Sequence, residues 1–142
     1  IANGNRACFE NCKFYSGQDV LNVKYNRSYY KNCYIEGAVD AIWGFGKAVF
    51  ENCTLNQIRV GGAYTAGGTE TCYFLFDQCT FTAVSNVDVI VAIEKAGKDT
   101  VNCKTISNVM FGCTWYPDLH VYIKNSVVTA PLNPTAWSNN CI

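Results

Sequence analysis

Charge is scarce in this chain. Only 15% of the 142 residues are charged, and eleven basic side chains face eleven acidic ones. Without a basic excess there is no electrostatic footprint for nucleic acid. Long apolar runs are missing too: none approaches the roughly 20 residues that span a bilayer, so no membrane segment is expected. No signal peptide is visible, as in a secreted protein after processing. His120 is the single histidine. With Cys8 and Cys12 as the one closely spaced cysteine pair of this kind, no zinc-type site is expected. No Ser and acid are placed to complete a triad with His120. Gly61-Gly62 and Gly67-Gly68 lack the Lys and the following helix of a phosphate loop. No long segment of 3.6-residue periodicity with caps is present, so helices should be few.

What the chain does have is apolar surface and cysteine. Hydrophobic residues make up 49%, enough for one domain over residues 1–142 with a buried core. Nine cysteines point to an oxidising, extracellular setting, and an odd count leaves at least one outside any internal disulfide. Cys8, Cys72, Cys103, Cys113 and Cys141 lie off the repeat described next and are the better disulfide candidates.

One signature recurs: aromatic or apolar, any residue, Asn, Cys, any residue, apolar. It runs Phe9-Glu10-Asn11-Cys12-Lys13-Phe14, then Tyr30-Lys31-Asn32-Cys33-Tyr34-Ile35, then Phe50-Glu51-Asn52-Cys53-Thr54-Leu55. Phe76-Asp77-Gln78-Cys79-Thr80-Phe81 carries Gln for Asn, and Ile123-Lys124-Asn125-Ser126-Val127-Val128 carries Ser for Cys. The steps are 21, 20, 26 and 47 residues, the last close to two ordinary ones. Such a period marks a stack of repeats. The runs entering each signature are short, rich in aromatic and β-branched residues and bounded by Gly and Asn, as strands are. A sandwich of hairpins does not require a shared motif at equivalent positions, whereas a solenoid sets each Asn-Cys above the last, about 4.8 Å away. The expected fold is therefore all-β, a right-handed parallel β-helix of about six coils. The 26-residue step holds an extra loop at Gly61–Gly68; the 47-residue step holds an apolar run, Val87–Ile93, and a further strand at Thr105–Phe111. The first repeat starts within six residues of Ile1, which leads to the expectation that the open coil end is covered either by sequence upstream of Ile1 or by another copy of the chain in end-to-end self-association.

The same repeat serves as a ruler. Asp19 and Asp40 each follow a repeat cysteine by seven residues, which places them on adjacent coils with backbones about 5 Å apart. Two acids this close perturb each other, and one can stay protonated while the other ionises. Counting thirteen residues back from Cys53 gives Asp40, and from Ser126 gives Cys113. Gln18, beside Asp19, offers an amide donor of the type that stabilises an oxyanion. The bland alternative is a pair of solvated carboxylates or a cation-binding pair.

These residues resemble a known family. Gly17-Gln18-Asp19-Val20-Leu21 is similar to the G-[YF]-Q-D-T-L motif of pectin methylesterases. Asn32-Cys33-Tyr34-Ile35-Glu36-Gly37-Ala38-Val39-Asp40-Ala41-Ile42-Trp43-Gly44 is similar to their N-C-Y-I-E-G-x-V-D-F-I-F-G. Tyr64-Thr65-Ala66 resembles their I-T-A, and Asn133–Ser138 their N-P-x-G-W-S. The resemblance implies a β-helix that removes methyl groups from esterified polygalacturonate without a metal or organic cofactor. It implies Asp40 as nucleophile, Asp19 as general acid and then base, and Gln18 as an oxyanion donor. It also implies a cell-wall polysaccharide as partner. Three departures stand out. Phe111-Gly112-Cys113-Thr114-Trp115 occupies the place of L-G-R-P-W, so Cys113 replaces an arginine that orients the nucleophile. Ala41 replaces an aromatic, leaving Trp43, Tyr64 and Trp115 as candidate stacking faces for sugar. Family enzymes are also about twice this length.

Three functions from different classes follow: a catalytically impaired, self-assembling relative of these esterases; an active esterase; and a carbohydrate-binding module. Asn26-Arg27-Ser28 fits an N-glycosylation site in a loop. Asn52-Cys53-Thr54 fits the same pattern, but its Asn is expected in an inner ladder and unmodified.

Overall fold

A computed structural model of the chain describes residues 4–68, 72–84, 106–114 and 119–138. Each strand there pairs in parallel with the strand one coil away, and three five-stranded sheets result. The first contains β1 (Ala7–Glu10), β4 (Arg27–Lys31), β7 (Lys47–Glu51), β10 (Tyr73–Asp77) and β13 (His120–Lys124). The second contains β2 (Lys13–Tyr15), β5 (Tyr34–Gly37), β8 (Thr54–Gln57), β11 (Thr80–Thr82) and β14 (Val127–Val128). The third contains β3 (Leu21–Val23), β6 (Ile42–Gly44), β9 (Ala63–Gly67), β12 (Met110–Thr114) and β15 (Trp137–Ser138). The chain visits the sheets in turn, which is a parallel β-helix; crossovers of this kind wind right-handed.

Five strands per sheet make the stack shorter than the six coils expected. The reason lies in the 47-residue step. Tyr73 pairs directly with His120, and Asp77 with Lys124, so that step climbs one rung and not two. The run Val87–Ile93 lies outside the described residues, and the strand expected at Thr105–Phe111 is observed as β12, shifted toward the C-terminus.

The repeat signature explains how each corner forms. Asn11, Asn32, Asn52, Gln78 and Asn125 all have φ between 50° and 56°, in the left-handed region that Asn tolerates better than most residues. That turn points the amide outward and the next side chain inward. Asn32 Nδ2 donates to Asn11 Oδ1 at 3.3 Å, and Asn52 Nδ2 to Asn32 Oδ1 at 2.8 Å. The amide ladder is exposed, so the inner placement expected for Asn52 is corrected. The inward position belongs to the thiols: Cys33, Cys53 and Cys79 are buried, and each Sγ donates to backbone carbonyls, as Cys79 does to Phe50 at 3.4 Å. Ser126 continues the column, accepting from the Cys79 N–H at 3.0 Å. Cys8 and Cys72, expected in disulfides, are free thiols. Cys72 is buried with its Sγ against the Gly44 carbonyl, which absorbs the thiol without a bridge.

The core is a column of rings. Phe9, Tyr30, Phe50 and Phe76 stack face to face at 5.0, 4.8 and 4.7 Å, the spacing of the strands that carry them. Phe81 meets the column edge-on at Phe76, and Tyr64 in turn meets Phe81 edge-on. Because each ring packs against its copies above and below, deleting one opens a gap its neighbours cannot close. Phe50→Ala should cost about 3–5 kcal/mol in urea denaturation; a loss below about 1 kcal/mol would show that the stack does not hold the coils together.

Candidate active site

Asp19 and Asp40 sit at the corner between the second and third sheets. A parallel bridge joins Gln18 to Val39, which sets the two acids on adjacent rungs. The rungs are locked by backbone bonds: Val39 N–H to the Gly17 carbonyl at 3.0 Å, Asp19 N–H to Val39 at 3.1 Å, and Leu21 N–H to Ala41 at 2.9 Å. Both acids are left-handed, with φ of 49° and 47°. Equal backbone geometry one rung apart brings the two side chains to one corner of the helix.

Their surroundings differ. Asp19 is exposed, whereas Asp40 is only 5% exposed. Burial pushes the Asp40 carboxyl up to about 6; the neighbouring Asp19 charge adds to this, and Arg59 pulls the other way. Asp40 lines a small recess with Arg59, Gly62, Met110 and Cys113. Gln18 is exposed beside them.

Arg59 is a recess-lining cation that the motif reading passed over. A turn holds it, with the Gly62 N–H donating to the Arg59 carbonyl at 3.3 Å. Buried Gln57 braces that turn: its Nε2 donates to the Ala63 carbonyl at 3.0 Å, and its Oε1 accepts from the Ile58 N–H. The same Ala63 carbonyl accepts from the Ala41 N–H at 3.2 Å, which ties the turn to the residue after Asp40. Gly62 admits no side chain there, since a Cβ would lie 2.4 Å from the Ala38 carbonyl. The ruler held the clue: Gln18, Val39 and Arg59 each follow a repeat cysteine by six residues.

The remaining expectations divide. Cys113 does not share the column of Asp40. It is in register with Ala66, which pairs with Trp43, which pairs with Asn22. Counting back from Ser126 across the irregular last coil gave the wrong column, although Cys113 still lines the recess. Cys113 is disulfide-bonded and is no free thiol. Trp43 is partly exposed, its ring 5.1 Å from Phe45. Tyr64 is a correction: its ring is fully buried and its hydroxyl donates to the Thr82 carbonyl at 2.6 Å, so it offers no face to a sugar. Tyr64 is buried because its ring faces the core, edge-on to Phe81 and tilted against Phe111. Trp115, Cys103 and Cys141 lie outside the described residues. Among the described residues no group of acids, histidines and cysteines is arranged to hold a metal.

Residues 1–139 match the model of the Pectinesterase family. The chain belongs to the pectinesterase family. Probable pectinesterase A of Aspergillus fumigatus is 33% identical over 97% of this chain, and putative pectinesterase 14 of Arabidopsis thaliana is 37% identical over 59% of it. The crystal structure of the pectin methylesterase from Aspergillus niger superposes with a TM-score of 0.71 at 31% identity, covering 91% of this chain and 39% of that one. The carrot pectin methylesterase, 23% identical with a TM-score of 0.70, shares the fold. This pectinesterase-family chain spans about two fifths of the Aspergillus relative, 39% of its length.

The electrostatics make a signed prediction. Asp40 is neutral in folded and unfolded chains below its ordinary range near 3.8, and is ionised at a burial cost above about 6. Its raised value therefore favours folding at low pH, and that contribution is lost as pH rises through about 6. Asp40→Asn should raise Tm at pH 8 and leave it unchanged at pH 3; equal effects at both would show that the carboxyl is not strained. In carbon-detected NMR titrations, the Asp40 carboxyl should move down in Asp19→Asn and up in Arg59→Gln.

Proposed function

We propose that the Asp19–Asp40 corner hydrolyses methyl esters of a polygalacturonate chain, at a rate held down by the protonation of Asp40. The observation that carries this reading is the pair itself: two carboxyl groups in one backbone geometry on adjacent rungs, one solvated and one buried. Ionised Asp40 adds to the ester carbonyl carbon. The Gln18 amide donates to the oxyanion, and Asp19 gives its proton to the departing methoxide, so methanol leaves and an acyl-Asp40 anhydride remains. Asp19, now a carboxylate, takes a proton from water; the hydroxide attacks the acyl carbon and expels the Asp40 carboxylate, and the galacturonic acid formed passes its proton to bulk water. Each proton is accounted for between Asp19, methanol and water.

Buried Asp40 holds its own proton up to about pH 6, where a nucleophile must be ionised. An arginine in direct bidentate contact would hold a carboxylate ionised far more strongly than a distant one. In this chain Cys113 stands where the motif has that arginine, and Arg59 supplies attraction from the other side of the recess. Slow turnover follows from that arrangement, because the one proton the pair must share rests mainly on Asp40 and not on Asp19, where the general-acid step needs it. An extracellular, cell-wall setting fits the family, and the A. niger structure retains an N-acetylglucosamine stub; for this chain, glycosylation at Asn26 belongs to the same reading. End-to-end assembly has the edge strands β1, β2 and β3 in its favour.

Methanol release from methyl-esterified pectin tests the reading. Activity should be greatest while the pair shares one proton, decline as pH rises through about 6 and that proton is lost, fall to background in Asp40→Asn, and fall by about tenfold in Arg59→Gln, with partial recovery in Arg59→Lys. Wild type and Asp40→Asn releasing methanol equally would end it.

A further inference from the structure

A second cleft, of about 360 Å3, lies where the third sheet turns into the first, lined by Tyr25, Arg27, Phe45 and Lys47 along with Asn5 and Asn26. Its floor is aromatic. Tyr25 is 73% exposed and stacks on Phe45 at 5.5 Å with planes 17° apart, and Phe45 meets Trp43 at 5.1 Å. The three rings form a connected strip that leads away from Asp40, which Trp43 follows by three residues.

The walls of the cleft are cationic. Arg27 and Lys47 are exposed and stand directly opposite each other in the β4–β7 register. Like charges at such a position destabilise a sheet. At the far end of the same two strands the register puts Lys31 against Glu51, and they form an ion pair at 3.7 Å. Among the described residues no acid lines the cleft to do the same for Arg27 and Lys47. Arg27 is oriented by its Nε bond to Asn5 Oδ1 at 3.3 Å, which does not engage its terminal nitrogens, and Lys47 Nζ rests 5.0 Å from the Tyr73 ring. Two oriented cations with no carboxylate of their own, next to an exposed flat aromatic pair, fit a ligand that has both anionic groups and apolar ring faces.

We propose that this cleft is a binding site for a carboxylated sugar chain, with sugar rings on Tyr25 and Phe45 and their carboxylates on Arg27 and Lys47. The inference rests on the esterase reading only for the source of the chain: de-esterified galacturonate residues held here, with a still-methylated residue farther along the Trp43 strip at Asp40. The site then selects partly de-esterified polymer, because methylated residues carry no charge for Arg27 and Lys47. A phosphate or another acidic polymer would use the cations but not the ring faces.

Affinity electrophoresis of protein made in a bacterial host, so that no glycan on Asn26 fills the cleft, tests it independently of turnover. Fully de-esterified polygalacturonate should retard the protein, fully methylated pectin should not, and 0.5 M salt should abolish the effect. Arg27→Gln/Lys47→Gln and Tyr25→Ala should each weaken retardation at least tenfold while leaving the melting temperature and Asp40 titration unchanged. Absence of retardation, equal retardation by polyglutamate, or variants that bind like wild type would overturn the proposal. Binding with the expected pattern in a protein that releases no methanol would leave this site standing and remove the esterase reading alone. Where methanol is released, the double variant should raise KM for partly de-esterified pectin and leave kcat unchanged.

Discussion

Everything in this molecule depends on strict vertical register between parallel rungs. Each coil makes the same left-handed turn at its Asn or Gln, so the residue after it always faces inward and the amide always faces out. From that one constraint come the exposed amide ladder, the buried thiol column and the ring stack with its 4.7–5.0 Å spacing. No single contact in the stack is strong. Their alignment is what matters, since rings and amides meet like partners on neighbouring rungs and a rung that slipped would break several such contacts at once.

Register also creates the acid pair, and it does so against the electrostatic interest of the fold. Two carboxyl groups one rung apart repel, and the inner one also loses water. A fold under no other demand would place an amide there, as it does at the Asn corners. Asp19 and Asp40 adopt the Asn-like backbone but carry charge in place of the ladder bond. The Gln57-braced turn brings Arg59 to the rim of the same recess. Positive charge thus reaches Asp40 from the neighbouring coil on the second-to-third sheet corner, while the position of Cys113 on β12 contributes none.

Much of this was legible in the chain because solenoid geometry converts sequence distance into spatial distance. The Asn-Cys spacing predicted which sheet corner each residue occupies, and it put Asp19 and Asp40 on adjacent rungs. It failed where the count crosses an excursion: the 47-residue step looked like two rungs and is one, and Cys113 was assigned to the Asp40 column instead of the Trp43 column. Burial was less legible than register. Tyr64 reads as a sugar platform by residue type, and only the packing of its ring against Phe81 and Phe111 shows its hydroxyl spent on Thr82. Arg59 was missed because it belongs to no recurring motif, even though the ruler that placed the acids would have placed it beside them. The cleft of Tyr25 and Phe45 was invisible for a different reason, since ring stacking between adjacent turns depends on loop shape that periodicity does not encode.

The left-handed corners carry one more consequence, for evolution. A residue in that conformation costs roughly 1–2 kcal/mol unless it is Gly, Asn or Asp. Drift at Asp19 and Asp40 is therefore steered toward asparagine, which keeps the scaffold intact while discarding the charge. Lineages of this architecture have an easy, fold-neutral route from hydrolase to inert shell, and the retention of acid at both corners is a choice that folding alone does not enforce.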